Sequence, residues 1–344
     1  MFNFDKNKIV STIKNLHAGR VLVIGDFAID EMVYGQTARI SREAPVLILK
    51  HTHTNIILGA ASNAAHNIAT LNSGKVSAIG TYGDDYHAPI LLSTLQKAGI
   101  DTSLMVQDAS RVTTTKTRIS GASTQSVTQQ IVRIDREVNS PVSGEVEEKI
   151  VENIVNAIPN FDAVVLSDYG IGMMTPKIIE STIKTARKHN IYVAVDAQTQ
   201  LERFKGATVL TPNQPDAEKS VGYYITDEKT LLKAGHDLLE KTEADMILLT
   251  RGGDGMMLFE KNGNITNIPA FNKTDVFDVT GAGDTVVASF TLGLCAGGSG
   301  VESAIIGNLA ASIVIRHFGC ATTTQQELLE NLEMLNMANL SIKA

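Results

Sequence analysis

Short apolar runs and amphipathic stretches alternate along this chain. Runs at 21–24, 76–80, 163–167, 191–196, 207–211, 246–250 and 256–259 are continuously apolar. Strands buried on both faces read this way, as in a parallel sheet. Helical spacing fills much of the rest, at 60–71, 88–97, 144–158, 175–189, 228–241, 284–296 and 301–318. Strand and helix in alternation predict right-handed βαβ units. The expected fold is a three-layer α/β/α domain with a mostly parallel central sheet.

Two stretches break the rhythm. Residues 32–54 and 112–136 are rich in Thr, Val, Ile and Ser and carry no helical stripe. We read them as strands of a small β lid inserted in one domain that spans 1–344. The alternative is a pair of long surface loops, which are uncommon in compact domains. Repeats, low-complexity tracts and linker-like shifts in composition are absent from the sequence.

Composition narrows the function classes. Hydrophobic residues make up 43% of the 344 positions, enough for a sizeable core, and the formal net charge is −7. There is no basic run to grip nucleic acid. The sequence has no apolar run of the ~20 residues that a membrane helix needs. The first twenty residues lack the apolar segment of a secretion signal. A cytoplasmic protein without nucleic-acid or membrane partners is expected. Cys295 and Cys320 form no CxxC and are read as buried, reduced thiols.

The chemistry concentrates at Asp278-Val279-Thr280-Gly281-Ala282-Gly283-Asp284-Thr285. A turn of small residues opens an apolar helix there. Helix N-termini present unpaired N–H groups, and glycine lets a phosphate come close to them. Asp284, at the helix start, is placed to accept the proton of an attacking hydroxyl. Read alone, it fits a simple capping carboxylate equally well. A dinucleotide fingerprint fails because Val286 stands where its third glycine belongs. A Walker A loop fails because Gly74-Lys75 is followed by Val76.

The segment resembles the D-T-x-G-A-G-D signature of the ribokinase-like (PfkB) carbohydrate kinases, with Val279 where Thr is commonest. Other stretches agree. Gly25 to Asp30 is similar to the family's first strand, and Gly59 to Ala65 resembles its Gly-Gly turn. Thr211-Pro212-Asn213 and Thr250 to Gly255 resemble its nucleotide-side loops. The resemblance runs from about 20 to 330. Within the family, Tyr34 to Val46, Thr115 to Ile119, Ile134-Asp135 and Leu166 to Tyr169 resemble D-glycero-D-manno-heptose-7-phosphate kinases. Those enzymes phosphorylate an anomeric hydroxyl on the route to ADP-heptose. They are often fused to a nucleotidyltransferase, whose G-x-F-D-x-x-H-x-G-H type motif is absent from this sequence. A stand-alone kinase domain is the expectation.

The resemblance implies a set of roles. Asp284 is the base, and the amides of Gly281, Ala282 and Gly283 hold the transferring phosphoryl group. Asp30, Gly59 and Asn63 line the sugar pocket. Asn213, Thr250, Gly252, Gly255 and Asn308 surround ATP. Asp216 helps to hold Mg²⁺ indirectly, and Asp278 is a candidate for a monovalent cation such as K⁺. A substrate that already carries phosphate needs cations. Of Arg39, Arg42, Lys116, Arg118 and Arg133 in the lid segments, we assign Arg39, Lys116 and Arg133 to that phosphate. Such lids often pair between subunits, so a homodimer is expected.

The chain departs from the pattern at four positions. Ala60 replaces the second glycine of the turn, and Asp216 replaces a glutamate. Ile171 and Gln198 stand where heptose kinases carry lysines. These changes bear on phosphate and nucleotide contacts. They leave open another sugar, sugar phosphate or nucleoside as substrate, and a non-catalytic sensor as a second class.

Overall fold

The computed structural model describes residues 5–122, 128–272 and 276–335. The strands are β1 (Val21–Gly25), β2 (Phe27–Ile40), β3 (Leu47–Ala60), β4 (Val76–Ile79), β5 (Thr81–Tyr82), β6 (Ile100–Asp101), β7 (Val106–Gln107), β8 (Thr115–Ala122), β9 (Gln129–Arg136), β10 (Ala163–Asp168), β11 (Tyr192–Ala197), β12 (Val209–Leu210), β13 (Met246–Thr250), β14 (Met256–Glu260) and β15 (Ile265–Ile268). The helices are α1 (Lys6–Asn15), α2 (Ala61–Asn72), α3 (His87–Lys97), α4 (Gly144–Ala157), α5 (Pro176–Lys188), α6 (Gln214–Val221), α7 (Glu228–Thr242), α8 (Ala282–Cys295), α9 (Gly300–Val314) and α10 (Gln325–Met334).

Nine strands form the central sheet, in the order β15-β14-β13-β12-β11-β10-β1-β4-β6. It is parallel from β6 to β13, and β14 and β15 run antiparallel. Alternate residues of each strand go to opposite faces. Val21, Val23 and Val165 join one core with α2, α8 and α9. Leu22, Ile24 and Leu166 join the other with α4, α5 and α7. This is the expected three-layer fold. Each fully buried aliphatic side chain in the two layers stabilises by about 1.5–3 kcal/mol.

The chain passes from β1 outward to β4 and β6, then returns to β10 on β1's other side. Ligands of open α/β sheets bind beyond the carboxyl ends of strands at such a reversal. Asp26 follows β1, Asp168 ends β10, and Asp196 lies near the end of β11.

A second sheet of four strands has the order β3-β2-β8-β9. It is made from the two Thr- and Val-rich stretches. Its hairpin extends to Phe27 and Ala60, well beyond 32–54. Residues 123–127 of the other stretch lie outside the described residues. Bulges interrupt the β2–β3 register between Tyr34 and Gly35, where Thr52 of β3 is the extra residue, and between Thr37 and Arg39, where Ala38 of β2 is. Strand β9 is exposed along its whole length.

Helix α8 is apolar on nearly every side because it lies between α2, α9 and β11. Its internal hydroxyls bond back to the helix: Ser289 donates to the Thr285 carbonyl and Thr291 to that of Val287. The cysteines are free and half-buried, not fully buried as expected. Burial pushes both thiols up to about 12. Among the described residues, no helix is long and apolar enough to cross a membrane.

Candidate active site

The backbone enters α8 through Gly281, whose φ of 78° lies in the left-handed region. A Cβ there would lie 2.4 Å from Asn63 Nδ2, so glycine alone lets this turn pack against α2. No side chain caps the helix. The Ala282 amide donates to the Val279 carbonyl at 3.2 Å. Of the three amides expected to hold a phosphoryl group, that one is already engaged within the turn. Gly283 and Asp284 supply further first-turn amides, which have no partner four residues back in the helix.

Asp284 is buried, and both of its oxygens accept a hydrogen bond. Asn63 Nδ2 donates to Oδ2 at 2.7 Å, and the Tyr169 hydroxyl donates to Oδ1 at 2.9 Å. Burial is the main force raising this carboxyl, to about 6. The two hydrogen bonds favour the charged form and oppose that rise, the nearby charge of Asp30 adds to it, and Lys116 opposes it. Asp196, on β11, is pushed up to about 8 by burial and then by the charges of Asp284 and Asp216. Sequence reading passed over Tyr169 and Asp196 as site residues. Tyr169 lies in the segment 166–169 noted for its resemblance, but its contact with Asp284, 115 residues away, exists only in the fold.

Asn63, expected to line the sugar pocket, is engaged on both ends of its side-chain amide. Its nitrogen holds Asp284 and its oxygen accepts from Asn67 at 3.2 Å. Gly59 makes room for Asp30: a Cβ at Gly59 would lie 3.0 Å from Asp30 Oδ1.

Three cavities converge on the turn before α8. One, of about 720 Å³, lies under the second sheet and is lined by Asp30, Tyr34, Arg118, Arg133, Asp278, Thr280 and Cys320. Asp30 is paired to Arg118 at 3.2 Å, while its Oδ1 is buried without a hydrogen-bond partner. Burial raises Asp30, against the charges of Arg118, Lys116 and Arg133. Arg133 also lines this cavity and forks onto Asp135 at 2.7 and 2.6 Å. Lys116 Nζ lies 5.6 Å from the centre of the Tyr169 ring. Arg39 is not among the lining residues. It sits past the second bulge, on the exposed end of β2, and among the described residues its side chain reaches the Ile40 carbonyl at 3.4 Å. Arg118 lines the cavity instead.

The second cavity, about 300 Å³, has Thr250, Gly252, Gly255 and Asn308 along with Val276, Val279, Val286 and Ile315 in its walls. An apolar slot of this kind suits a flat aromatic base. Asn308 is fixed by donating to the Pro269 carbonyl at 2.7 Å. Gly283 lines this slot and also the third cavity, about 140 Å³, with Asp168, Asp196, Gln198, Asn213, Asp216 and Asp284.

The polar side chains of the third cavity are carboxylates and amides, joined by the Tyr169 phenol. Such donors suit a hard cation that keeps some of its water. Asn213 caps α6 by accepting from the Asp216 amide at 2.8 Å, and Asp216 pairs with Lys219 at 3.1 Å. Asp278 accepts from the Thr280 amide at 3.0 Å and from the Gly319 amide at 3.0 Å, tying the turn to the chain after α9. Of the two positions that lack the family's lysines, Ile171 is buried and its carbonyl takes a bond from Arg111, while Gln198 faces the third cavity. The nearest cation to Asp168 is then Arg203, at 3.7 Å.

Known proteins resemble this chain in sequence and in fold. The HldE bifunctional protein of Trichlorobacter lovleyi is 37% identical over 326 residues, which is 94% of this chain and 65% of that protein. That of Geobacter sulfurreducens is 38% identical over 92% of this chain and 64% of its own length. The chain thus spans somewhat less than two thirds of these relatives. In fold it is similar to Escherichia coli phosphofructokinase-2 in complex with potassium (TM-score 0.72, 17% identity, 92% of this chain and 99% of that one). It is also similar to Arabidopsis thaliana ribokinase complexed with ribose and ATP (TM-score 0.68, 17% identity, 92% and 99%). Residues 19–327 match the pfkB family carbohydrate kinase profile, and the chain belongs to that family.

Proposed function

We propose that this chain transfers the γ-phosphoryl group of ATP to a hydroxyl of a phosphorylated sugar, with Asp284 as the base. The observation that carries the reading is the position of Asp284. It lies in the first turn of an uncapped helix and lines the third cavity, next to Gly283, which borders both that cavity and the apolar slot. The sugar we assign is D-glycero-D-manno-heptose 7-phosphate, at its anomeric hydroxyl. This rests on the resemblance of segments 34–46, 115–119, 134–135 and 166–169 to heptose kinases.

Asp30, through its free Oδ1, accepts from sugar hydroxyls. Arg118, Lys116 and Arg133 meet the substrate's own phosphate, and Arg39 has no part. Asp284 takes the proton of the attacking hydroxyl. The first-turn amides of α8 stabilise charge on the group in transfer, which passes in line. Thr250, Gly252, Gly255 and Asn308 hold the nucleotide. Mg²⁺, when bound, neutralises charge between the phosphates, and Asp216 and Asn213 would hold it through water. Asp278 would serve a monovalent cation, tested by turnover with and without K⁺. The second sheet closes over the sugar as a lid. Exposed Ile131, Val132 and Ile134 on β9 support its pairing with a second copy, checked by light scattering.

The test is ADP release from ATP and Mg²⁺ with the heptose phosphate, fructose 6-phosphate, ribose and adenosine. Turnover with the heptose phosphate alone is expected. Faster turnover with another member keeps the mechanism and overturns the sugar. Silence from folded protein that binds ATP overturns the assigned sugar and leaves a substrate outside the panel or a sensor.

A further inference from the structure

We propose that Tyr169 is a positioning residue for Asp284, linking Lys116 of the second sheet to the base. The inference rests on the reading of Asp284 as base. Tyr169 Oη donates to Asp284 Oδ1 at 2.9 Å, which fixes the carboxylate's plane together with Asn63 on Oδ2. A donor to the charged form also keeps the base ionised against the cost of burial.

Tyr169 is itself held from two sides. Asp26, buried where β1 passes into β2, accepts the amides of Tyr169 at 2.9 Å, Ile171 at 3.2 Å and Met173 at 3.2 Å. One carboxylate thus pins the whole loop after β10. On the other side, Lys116 of β8 places Nζ 5.6 Å from the ring centre, a cation over an aromatic ring. Lys116 lies opposite Asp30 in the sheet register. The strand pair that carries the proposed sugar ligand therefore also carries the cation that touches Tyr169. Among the described residues, the charged and titratable groups around Asp284 are Asp30 from β2, Lys116 from β8, Asp168 and Tyr169 at the end of β10, Asp196 from β11, Asp216 from α6 and Cys320 from the segment after α9. Asn63 and Tyr169 make the direct side-chain hydrogen bonds to it.

The experiment uses the full chain and the panel sugar turned over fastest. Tyr169→Phe keeps the ring and removes the donor. We expect kcat to fall roughly 10-fold, with the acid limb of its pH profile moved upward and KM for ATP unchanged. Replacing Tyr169 by 3-fluorotyrosine keeps the shape and strengthens the donor, so the limb moves downward. Lys116→Met moves the limb upward, and the move shrinks when Tyr169 is already Phe. Wild-type kcat and limb in folded Tyr169→Phe, or no shift with fluorotyrosine, overturns the proposal. An undiminished Lys116 effect in the double variant overturns the link to the second sheet. Loss of turnover in Asp284→Asn beside a normal Tyr169→Phe sinks only this inference. Normal turnover in Asp284→Asn sinks the base reading itself.

Discussion

Helices α8 and α9 lie side by side, yet they begin in opposite ways. At the start of α9, the Ser299 hydroxyl accepts from the Glu302 amide at 3.4 Å, and Glu302 accepts from the Ser299 amide at 2.7 Å. This reciprocal box satisfies orphan amides from within the chain. Helices α7 and α10 have the same device, built on Asp227 and Thr324. Helix α8 starts at a left-handed glycine with no side-chain cap, and α2, which carries Asn63, starts at an uncapped Ala60. A missing cap is not by itself a mark of the site, since α4 also starts without a side-chain cap. At α8, which holds Asp284, the amides of Gly283 and Asp284 have no partner in the helix, whereas at α2 the Ala61 amide already donates to the Asp26 carbonyl at 3.1 Å.

The difference is broken most severely at Asp284. Asp284→Asn should lower kcat by about 10³-fold, since a neutral amide takes no proton. In the unsubstituted protein, kcat should rise with pH through about 6, where the buried carboxyl ionises, and level off above that. Stability runs the other way. The folded-state pKa is raised, so the folded chain holds this proton more tightly than the unfolded one does. That contribution is complete below about 4 and is lost as pH rises through the folded value. Melting curves should therefore show Asp284→Asn gaining on the parent near pH 8 and losing the gain near pH 5. A flat kcat profile between those limits would remove Asp284 as the titrating base.

Gly281→Ala comes next. Its Cβ would press on Asn63 Nδ2 at 2.4 Å while φ is positive, so either the turn opens or Asn63 leaves the base. A drop in kcat of roughly 10–100-fold is expected, with a stability loss of about 1–2 kcal/mol. Ser299→Ala is the control on the capped helix. It should cost about 1 kcal/mol in urea unfolding and leave kcat alone. If the two variants lose kcat equally, the open N-terminus of α8 is not special.

How much of this could be read beforehand follows from where each signal lies. The central strands are legible because Val21 to Ile24 and Met246 to Thr250 are apolar without interruption, as two-sided burial requires. Helix α6 escaped because it has eight residues, opens with Gln214-Pro215-Asp216 and buries only Asp216 and Ala217. Strand β15 and helices α1 and α10 escaped because each buries only a few side chains. At the site, Asp284 and its glycines are contiguous and could be read together. Asn63 and Tyr169 meet Asp284 across 221 and 115 residues, contacts that only the fold creates. Arg39 falls outside the cavity lining because the extra residue Ala38 shifts the register of β2 just before it, which residue spacing does not reveal.

The smallest expected effect tests the second uncapped start. Ala60 has φ 51° and ψ −135°, a region that suits glycine and is costly for any residue with a Cβ. It also ends β3, opposite Phe27, and the next residue, Ala61, donates its amide to the Asp26 carbonyl at 3.1 Å. The backbone is thus fixed from both sides, and the alanine cannot relax out of its conformation without breaking the start of α2. Ala60→Gly should relieve that strain by more than it adds entropy to the unfolded chain, a net gain of about 0.5–1 kcal/mol in urea unfolding. The sign is opposite to that of a cap deletion such as Ser299→Ala. A loss of stability would mean that the Ala60 methyl makes packing contacts worth more than the strain. In that event its place beside Asn63 would mark it as a deliberate wall of the site.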